Sequence, residues 1–415
     1  MRSNSIIWPT EDPIVVPNFL GTGLDLLKEQ FGALSQDDKN PLSRVTVANS
    51  SFSLDPIRGC PLACSYCIVG GDLRNLGVNK NSPIIKQEIK NFRTLYPRKP
   101  EVVFTGRTLA RALLKHPAFI KNKSVISIAT GSTEAFIPVS EKETWGVMKT
   151  FADEGLKNPF WIVTKRGIPD ELLGIWLKRF EYLLKKDIQI IISITYSNAP
   201  YWVEPYRRNR FHNFDTIKKT GVHISQHLRP IIRGINDNKE SIQEAVKDSL
   251  ELIESICVGG LRKDPGVLLA WQYSKGLDPN LLPDVKKDVR KKDLPDGIIK
   301  LVRKIIREKG YNIPVFYRSS HVISHALGIP DYNLYRYRND DDKRVFLKIP
   351  IKIQRFIEKK YNKSLLSLLK EIAESIKLGY LTFKSVKEKI FIENKVNYQE
   401  HRALIHAIGH SEILP

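Results

Sequence analysis

Sulfur is scarce in this chain. Four cysteines and two methionines serve 415 residues, and three of those cysteines, Cys60, Cys64 and Cys67, fall on one short stretch. A chain of this length buries a core without covalent staples, so a disulfide-built scaffold is excluded as the organising device. Runs of about 18 apolar residues are also missing, which argues against a membrane span. The opening MRSNSIIWPTED lacks the apolar segment a secretory leader needs. A cytoplasmic location is the expectation. There thiols stay reduced, and clustered cysteines serve more often as metal ligands or catalytic groups than as disulfides. Acidic residues are in deficit too: 45 Asp and Glu against 66 Lys and Arg give a net charge of +21. Such an excess fits a polyanionic partner such as nucleic acid; a generally lysine-rich surface produces the same number. Hydrophobic content of 42% and charged content of 27% are those of a soluble globular protein.

Strand-like and helix-like segments alternate through the middle of the chain. The strand-like runs are 44–52, 101–106, 124–130, 160–165, 188–196, 221–232 and 266–273. Their near-continuous hydrophobicity suits strands covered on both faces. Amphipathic stretches at 108–116, 141–155, 170–186, 213–221 and 241–256 lie between them. This alternation predicts βα units on a parallel sheet, hence an α/β fold: a full or partial (β/α) barrel, with a doubly wound sheet as the alternative. In a barrel the chemistry sits at the C-terminal ends of the strands, the side on which the cysteine stretch follows the first strand. The expected organisation is an N-terminal arm over 1–43, a barrel over 44–276, a basic helical region closing it over 277–330, and a helical C-terminal extension over 331–415.

The cysteines read DPIRGCPLACSYC, a spacing of Cys-x3-Cys-x2-Cys. Three thiolates on one loop hold three corners of a metal cluster but do not close a four-ligand zinc site. No histidine lies in the loop, and the first in the chain is His116. Cys257, at the end of a predicted helix, is a remote fourth ligand or a weak catalytic candidate, burial as a small apolar side chain being its commoner fate. A [4Fe–4S] cluster on three cysteines leaves one iron open to a further ligand. A structural zinc knuckle is the competing reading.

The spacing, with Tyr66 as the aromatic before the third cysteine, resembles the signature of the radical S-adenosylmethionine (SAM) superfamily, and the segment from about 50 to 275 is similar to its spore photoproduct lyase-like branch. The pieces that carry the likeness are DPIRGCPLACSYC, ATGSTEAFIPVSE (129–141), IVTKRG (162–167), ISITYSN (192–198), VEPYRRNR (203–210) and LRPIIRGIND (228–237), in that order. The resemblance implies a [4Fe–4S] cluster on Cys60, Cys64 and Cys67, with SAM chelating the open iron and reductive cleavage giving a 5′-deoxyadenosyl radical. It implies an electron donor such as flavodoxin or ferredoxin. It assigns Ser132, Thr133 and Glu134 to the SAM ammonium, Lys165 to its carboxylate and Ser193 to its ribose, beside Tyr66 in the cofactor-binding set. Ser132 and Thr133 equally suit a loop that caps a helix, Lys165 a rim side chain reaching water, and Ser193 a hydroxyl bonded within the sheet. Arg207, Arg208, Arg210 and Arg229 form a candidate substrate set, since guanidinium groups grip phosphate or carboxylate bidentately; solvated charge is the plainer role of each.

The likeness has gaps. The branch's hydrogen-donating cysteine has no counterpart in ATGSTE, and its tyrosine after the third cluster cysteine is Ile68 here. Radical generation is therefore expected without photoproduct repair. The substrate is expected to be a nucleic acid or a nucleotide-bearing compound; a small molecule or peptide, or a non-enzymatic metal module that binds nucleic acid, are the alternatives. His321 and His325 share a helical face at i, i+4, a spacing that suits metal but here has no third ligand in view.

Overall fold

The computed structural model describes residues 40–47, 50–62, 64, 66, 100–128, 133–201, 203–204, 210–262, 292–329, 331, 336–338, 345–394 and 398–411. A short 3₁₀ turn, Pro41–Arg44, leads into an antiparallel pair, β1 (Val45–Val47) and β2 (Phe52–Leu54). From β2 the sheet continues in parallel through β5 (Ile126–Ile128), β6 (Phe160–Thr164), β7 (Ile190–Thr195), β8 (His223–Ile231) and β9 (Ser255–Arg262). β11 (Val315–Phe316) adds parallel to β9, and β10 (Lys292–Asp293) pairs antiparallel with its far end. This is a partial barrel, mostly parallel. β3 (Ile57–Arg58) and β4 (Glu101–Val102) form a separate small ribbon.

Helices return the chain between strands, each starting where local chemistry favours it. Thr105 caps α1 (Gly106–Leu114) by accepting the Thr108 N–H at 3.2 Å. Pro138 opens α2 (Pro138–Asp153), and Asp170 and Glu171 complement the N-terminal dipole of α3 (Asp170–Leu184). After α4 (Phe214–Lys218), Asn238 caps α5 (Lys239–Val246) through the Ser241 N–H at 2.8 Å. Next come α6 (Ile298–Glu308) and α7 (Ser319–Leu327).

The two faces of the sheet differ in chemistry. Alternate strand positions such as Phe160, Ile162, Ile190, Ile192, Ile194, Ile224 and Ile256 join the main core with Val147 and Phe151 of α2, Trp176 and Phe180 of α3, and Ile306 of α6. The intervening positions face the concave side. Near its lower end Val125, Trp161 and Ile191 pack on Ile323 of α7. Further along, the concave row is polar: Ser193, Ser225 and Ser255 lie side by side in register and are fully buried, followed by Thr195, His227 and Cys257.

Several sequence expectations change. The 44–52 run contributes to two short antiparallel strands, β1 and β2, rather than one. The 101–106 run supplies only the ribbon strand β4, and both its residues are exposed. The helix expected over 241–256 stops at Val246, and Cys257 lies inside strand β9 instead of at a helix end. The 266–273 run and residues 1–39 lie outside the described residues. The C-terminal extension has the expected helices, α8 (Ile351–Tyr361), α9 (Leu365–Ser375) and α10 (Tyr398–His410), but also a four-stranded antiparallel sheet. Its strands are β12 (Arg336–Arg338), β13 (Val345–Lys348), β14 (Phe383–Val386) and β15 (Lys389–Ile392), in the order β12-β13-β15-β14.

α10 docks back on the start of the barrel. The Arg402 guanidinium donates to Val47 O at 3.1 Å, and the His406 ring meets Phe52 edge-on at 4.8 Å. No helix among the described residues is long and apolar enough to cross a membrane.

Candidate active site at the cysteine loop

The cysteine loop leaves the small ribbon through Gly59, whose φ of 96° is one that a side-chain-bearing residue rarely adopts. Cys60 is half-buried and Cys64 buried; Cys67 lies outside the described residues. Among the described residues no group of three or more His, Cys, Asp and Glu side chains is placed to hold a metal ion. The loop is fixed by Tyr66, which lies between the second and third cysteines. Its hydroxyl donates to Glu204 Oε1 at 3.0 Å, and its ring lies under Lys165 Nζ, 4.4 Å from the centroid.

Glu204, just beyond β7, is the centre of this arrangement. Its Oε1 also accepts from Lys165 Nζ at 2.7 Å and from Arg210 Nη1 at 3.1 Å. The side chains of Glu204 and Arg210 are 2% and 1% exposed, so this is a buried charge cluster rather than a surface pair. Burial, the largest single influence, pushes the Glu204 carboxyl up, but Lys165 and Arg210 together outweigh it and hold the group below its ordinary range. Two cations thus share one carboxylate oxygen.

The members come from the cysteine loop, the end of β6 and the segment between β7 and α4. Lys165 directly follows β6. Arg210 is held there by backbone contact: a Cβ on Gly167 (φ 72°) would stand 2.7 Å from Arg210 O, so glycine is needed for the approach. The Arg210 guanidinium also donates to Thr195 O at the end of β7 and lies 5.1 Å from the Tyr196 ring. Glu134, beyond β5, accepts from the Thr164 hydroxyl and from Lys165 N–H, the latter at 2.8 Å. Burial pushes its carboxyl above the usual range, against the pull of those hydrogen bonds and of Arg210.

The sequence-derived candidates thus divide. Tyr66, Thr133, Glu134 and Lys165 gather at the C-terminal ends of β5 and β6, on one rim with the cysteine loop. Thr133 Oγ1 is buried there with no hydrogen-bond partner among the described residues. Arg210 joins the same cluster but turns inward, bonded to protein, instead of presenting to solvent. Ser193 lies within β7, fully buried, where Trp161 Nε1 donates to it at 2.8 Å and Ser225 Oγ is 2.7 Å away. Arg229 is half-buried in β8, its side chain lying over the spot where Gly259 has no Cβ. Cys257 is buried on the concave face of β9, in register with His227. Ser132, Arg207 and Arg208 lie outside the described residues. His321 pairs with Asp331 at 2.9 Å and His325 packs on Phe316 at 5.5 Å, so the two histidines serve packing and pairing.

Glu204 is the site residue that sequence reasoning passed over. The only signal was one acid three residues before a run of arginines, and what it pairs with is decided by tertiary structure.

No family model matches the chain, and no curated protein sequence matches it. Among solved structures it is similar to two single-residue mutants of spore photoproduct lyase, at 16% and 15% identity, each with a TM-score of 0.45. Those alignments cover 72% of this chain and 95% and 94% of the lyase chains. It is also similar to Streptococcus suis SuiB bound to precursor peptide SuiA, at 11% identity and a TM-score of 0.40, covering 69% of this chain and 55% of that one. At these identities and TM-scores the chemistry of the site is read from this chain's own residues.

Proposed function

We propose that the chain is a radical SAM enzyme that acts on a nucleic acid or a nucleotide-bearing compound. The observation that carries the reading is the docking of the Cys-x3-Cys-x-Tyr-Cys loop, through Tyr66, onto Glu204 and Lys165 at the strand ends of a parallel partial barrel. That rim is where such folds concentrate their chemistry.

The residues present fit the cofactors. Soft thiolates suit iron–sulfur clusters, and Cys60, Cys64 and Cys67 would supply three of them. A buried hydroxyl with no partner among the described residues is one that a ligand can satisfy, and Thr133 offers one at the adjoining strand end. When bound, the cluster supplies one electron to the SAM sulfonium, whose cleavage yields a 5′-deoxyadenosyl radical. The chain's own groups bind and orient. Lys165, at the end of β6 on the same rim, would hold the SAM carboxylate, and Thr133 would accept from its ammonium. Tyr66 keeps the loop against the rim. Glu204 holds Lys165 and Arg210 in place, and burial around them strengthens each charge–charge contact. The net charge of +21 supports the polyanionic substrate.

Anaerobic reconstitution with iron and sulfide tests the reading. About four irons per chain are expected, with loss of the cluster in Cys60→Ala, Cys64→Ala and Cys67→Ala. A single zinc in place of iron, lost in the same variants, would contradict it.

A further inference from the structure

Helix α8 stands apart from the other helices. Of the eleven residues from Ile351 to Tyr361, only Ile357 is buried. Ile351, Lys352, Arg355, Phe356, Lys359 and Lys360 are all exposed. Their spacing is i, i+1, i+4, i+5, i+8 and i+9, which at 3.6 residues per turn forms one continuous stripe along the helix. The stripe holds four cations and no carboxylate. The helix's one acid, Glu358, lies at its margin and accepts the Leu365 N–H at 3.0 Å, at the start of α9. Phe356, in the middle of the stripe, is 57% exposed. The helix is anchored to the β14–β15 hairpin by Gln354 Nε2, which donates to Ile349 O at 2.7 Å and Lys387 O at 3.0 Å. Lys384 and Lys387 of that hairpin are exposed as well.

We infer that this stripe binds single-stranded nucleic acid, the four cations contacting phosphates and Phe356 stacking on a base. The inference rests on and extends the nucleic-acid reading of the substrate and places a binding surface on the C-terminal extension. An exposed phenylalanine ringed by cations matches the combination that sequence-tolerant single-strand binding requires: a charge track for the backbone and a flat face for the bases. A lipid surface fits less well. An interfacial helix buries a broad apolar face in the membrane, whereas here the stripe carries two apolar side chains, Ile351 and Phe356. The other isoleucines, Ile353 and Ile357, are taken by the protein core.

The test uses the full chain and a labelled mixed-sequence single-stranded oligonucleotide, titrated by fluorescence anisotropy between about 50 and 200 mM salt. Replacing Lys352, Arg355, Lys359 and Lys360 together by Gln is expected to flatten the slope of log affinity against log salt by about 3, four phosphate contacts at roughly 0.7 each. Phe356→Ala is expected to weaken binding about tenfold at every salt concentration with the slope unchanged. Both variants should melt with the wild type, since the replaced side chains are exposed. Wild-type slope and affinity in the four-residue variant would overturn the inference. So would capture of phosphatidylglycerol vesicles through these residues without oligonucleotide binding. The outcome is separable from that of the enzyme reading: a variant with Cys60, Cys64 and Cys67 all changed to Ala is expected to keep oligonucleotide binding, and a chain that cleaves SAM without binding oligonucleotide would remove the stripe alone.

Discussion

Glu204 takes three donors on one buried oxygen, from Tyr66, Lys165 and Arg210. Removing one partner of a buried charge cluster leaves the others uncompensated, at a cost of about 3 kcal/mol or more. Glu204→Gln is therefore expected to lower unfolding free energy by about that amount in urea titration, and Tyr66→Phe, which removes one hydrogen bond, by about 1 kcal/mol. Equal, small effects of the two would show that the cluster is not coupled. Thr133 gives a contrasting test. Its buried hydroxyl oxygen has no partner among the described residues, so Thr133→Val is expected to leave the cofactor-free protein as stable as wild type, or more stable by about 1 kcal/mol. SAM affinity, read by equilibrium binding to the reconstituted protein, is expected to fall about tenfold, the worth of one well-placed hydrogen bond. A valine variant that binds SAM normally would take Thr133 out of the site. Cys64, Tyr66 and Lys165 could be picked out in the sequence because spacing and strand-end position are local properties. Glu204 and the inward turn of Arg210 could not, because both depend on which distant groups the fold brings into contact.

At the scale of elements, β5 to β8 were legible because each lies in an apolar, β-rich run followed by an amphipathic stretch, whereas β9 was not: SICVGGLR carries two glycines and follows what reads as a helix over 241–256. The polar concave rows were less so: in IIISITY only Ser193 and Thr195 hint that one face of β7 is not hydrocarbon. The C-terminal sheet was hidden because its strands are three or four residues long and mix Lys with Phe and Ile, too brief for a two-residue period to register. α10 carries the sharpest pH prediction. His406 is buried against Phe52 and lies 2.8 Å from Ser124 Oγ, and His410 packs on it at 4.4 Å. Burial pushes both imidazoles down, His406 well below its ordinary value and His410 to about 4. A histidine held neutral in the fold contributes stability in full above its unfolded pKa of about 6.5, and loses it as the pH falls toward the folded value. The melting temperature is thus expected to drop as pH falls from about 6.5 toward about 4, and the drop to be smaller in a variant with His406→Gln and His410→Gln. An identical pH profile in that variant would remove α10 as the acid-labile element.

The whole molecule joins two surfaces of different character. One is a rim where a thiol-bearing loop is held against strand ends by a buried charge cluster. The other is a basic, aromatic-bearing helix on the C-terminal extension, which α10 ties back to the first strands of the barrel through Arg402 and His406. The net charge of +21 was visible in composition, but the alignment of four cations on one face of α8 was not, since the same side chains read as ordinary solvated charge until burial of Ile353 and Ile357 fixes which way the helix faces. The measurement that bears most directly on the central claim is reductive SAM cleavage by the anaerobically reconstituted protein. Incubated with dithionite and SAM, the wild-type chain is expected to release 5′-deoxyadenosine, and Cys64→Ala to release none. Absence of 5′-deoxyadenosine from a fully reconstituted wild type, or undiminished release from Cys64→Ala, would contradict the assignment of the cysteine loop as a radical-generating site.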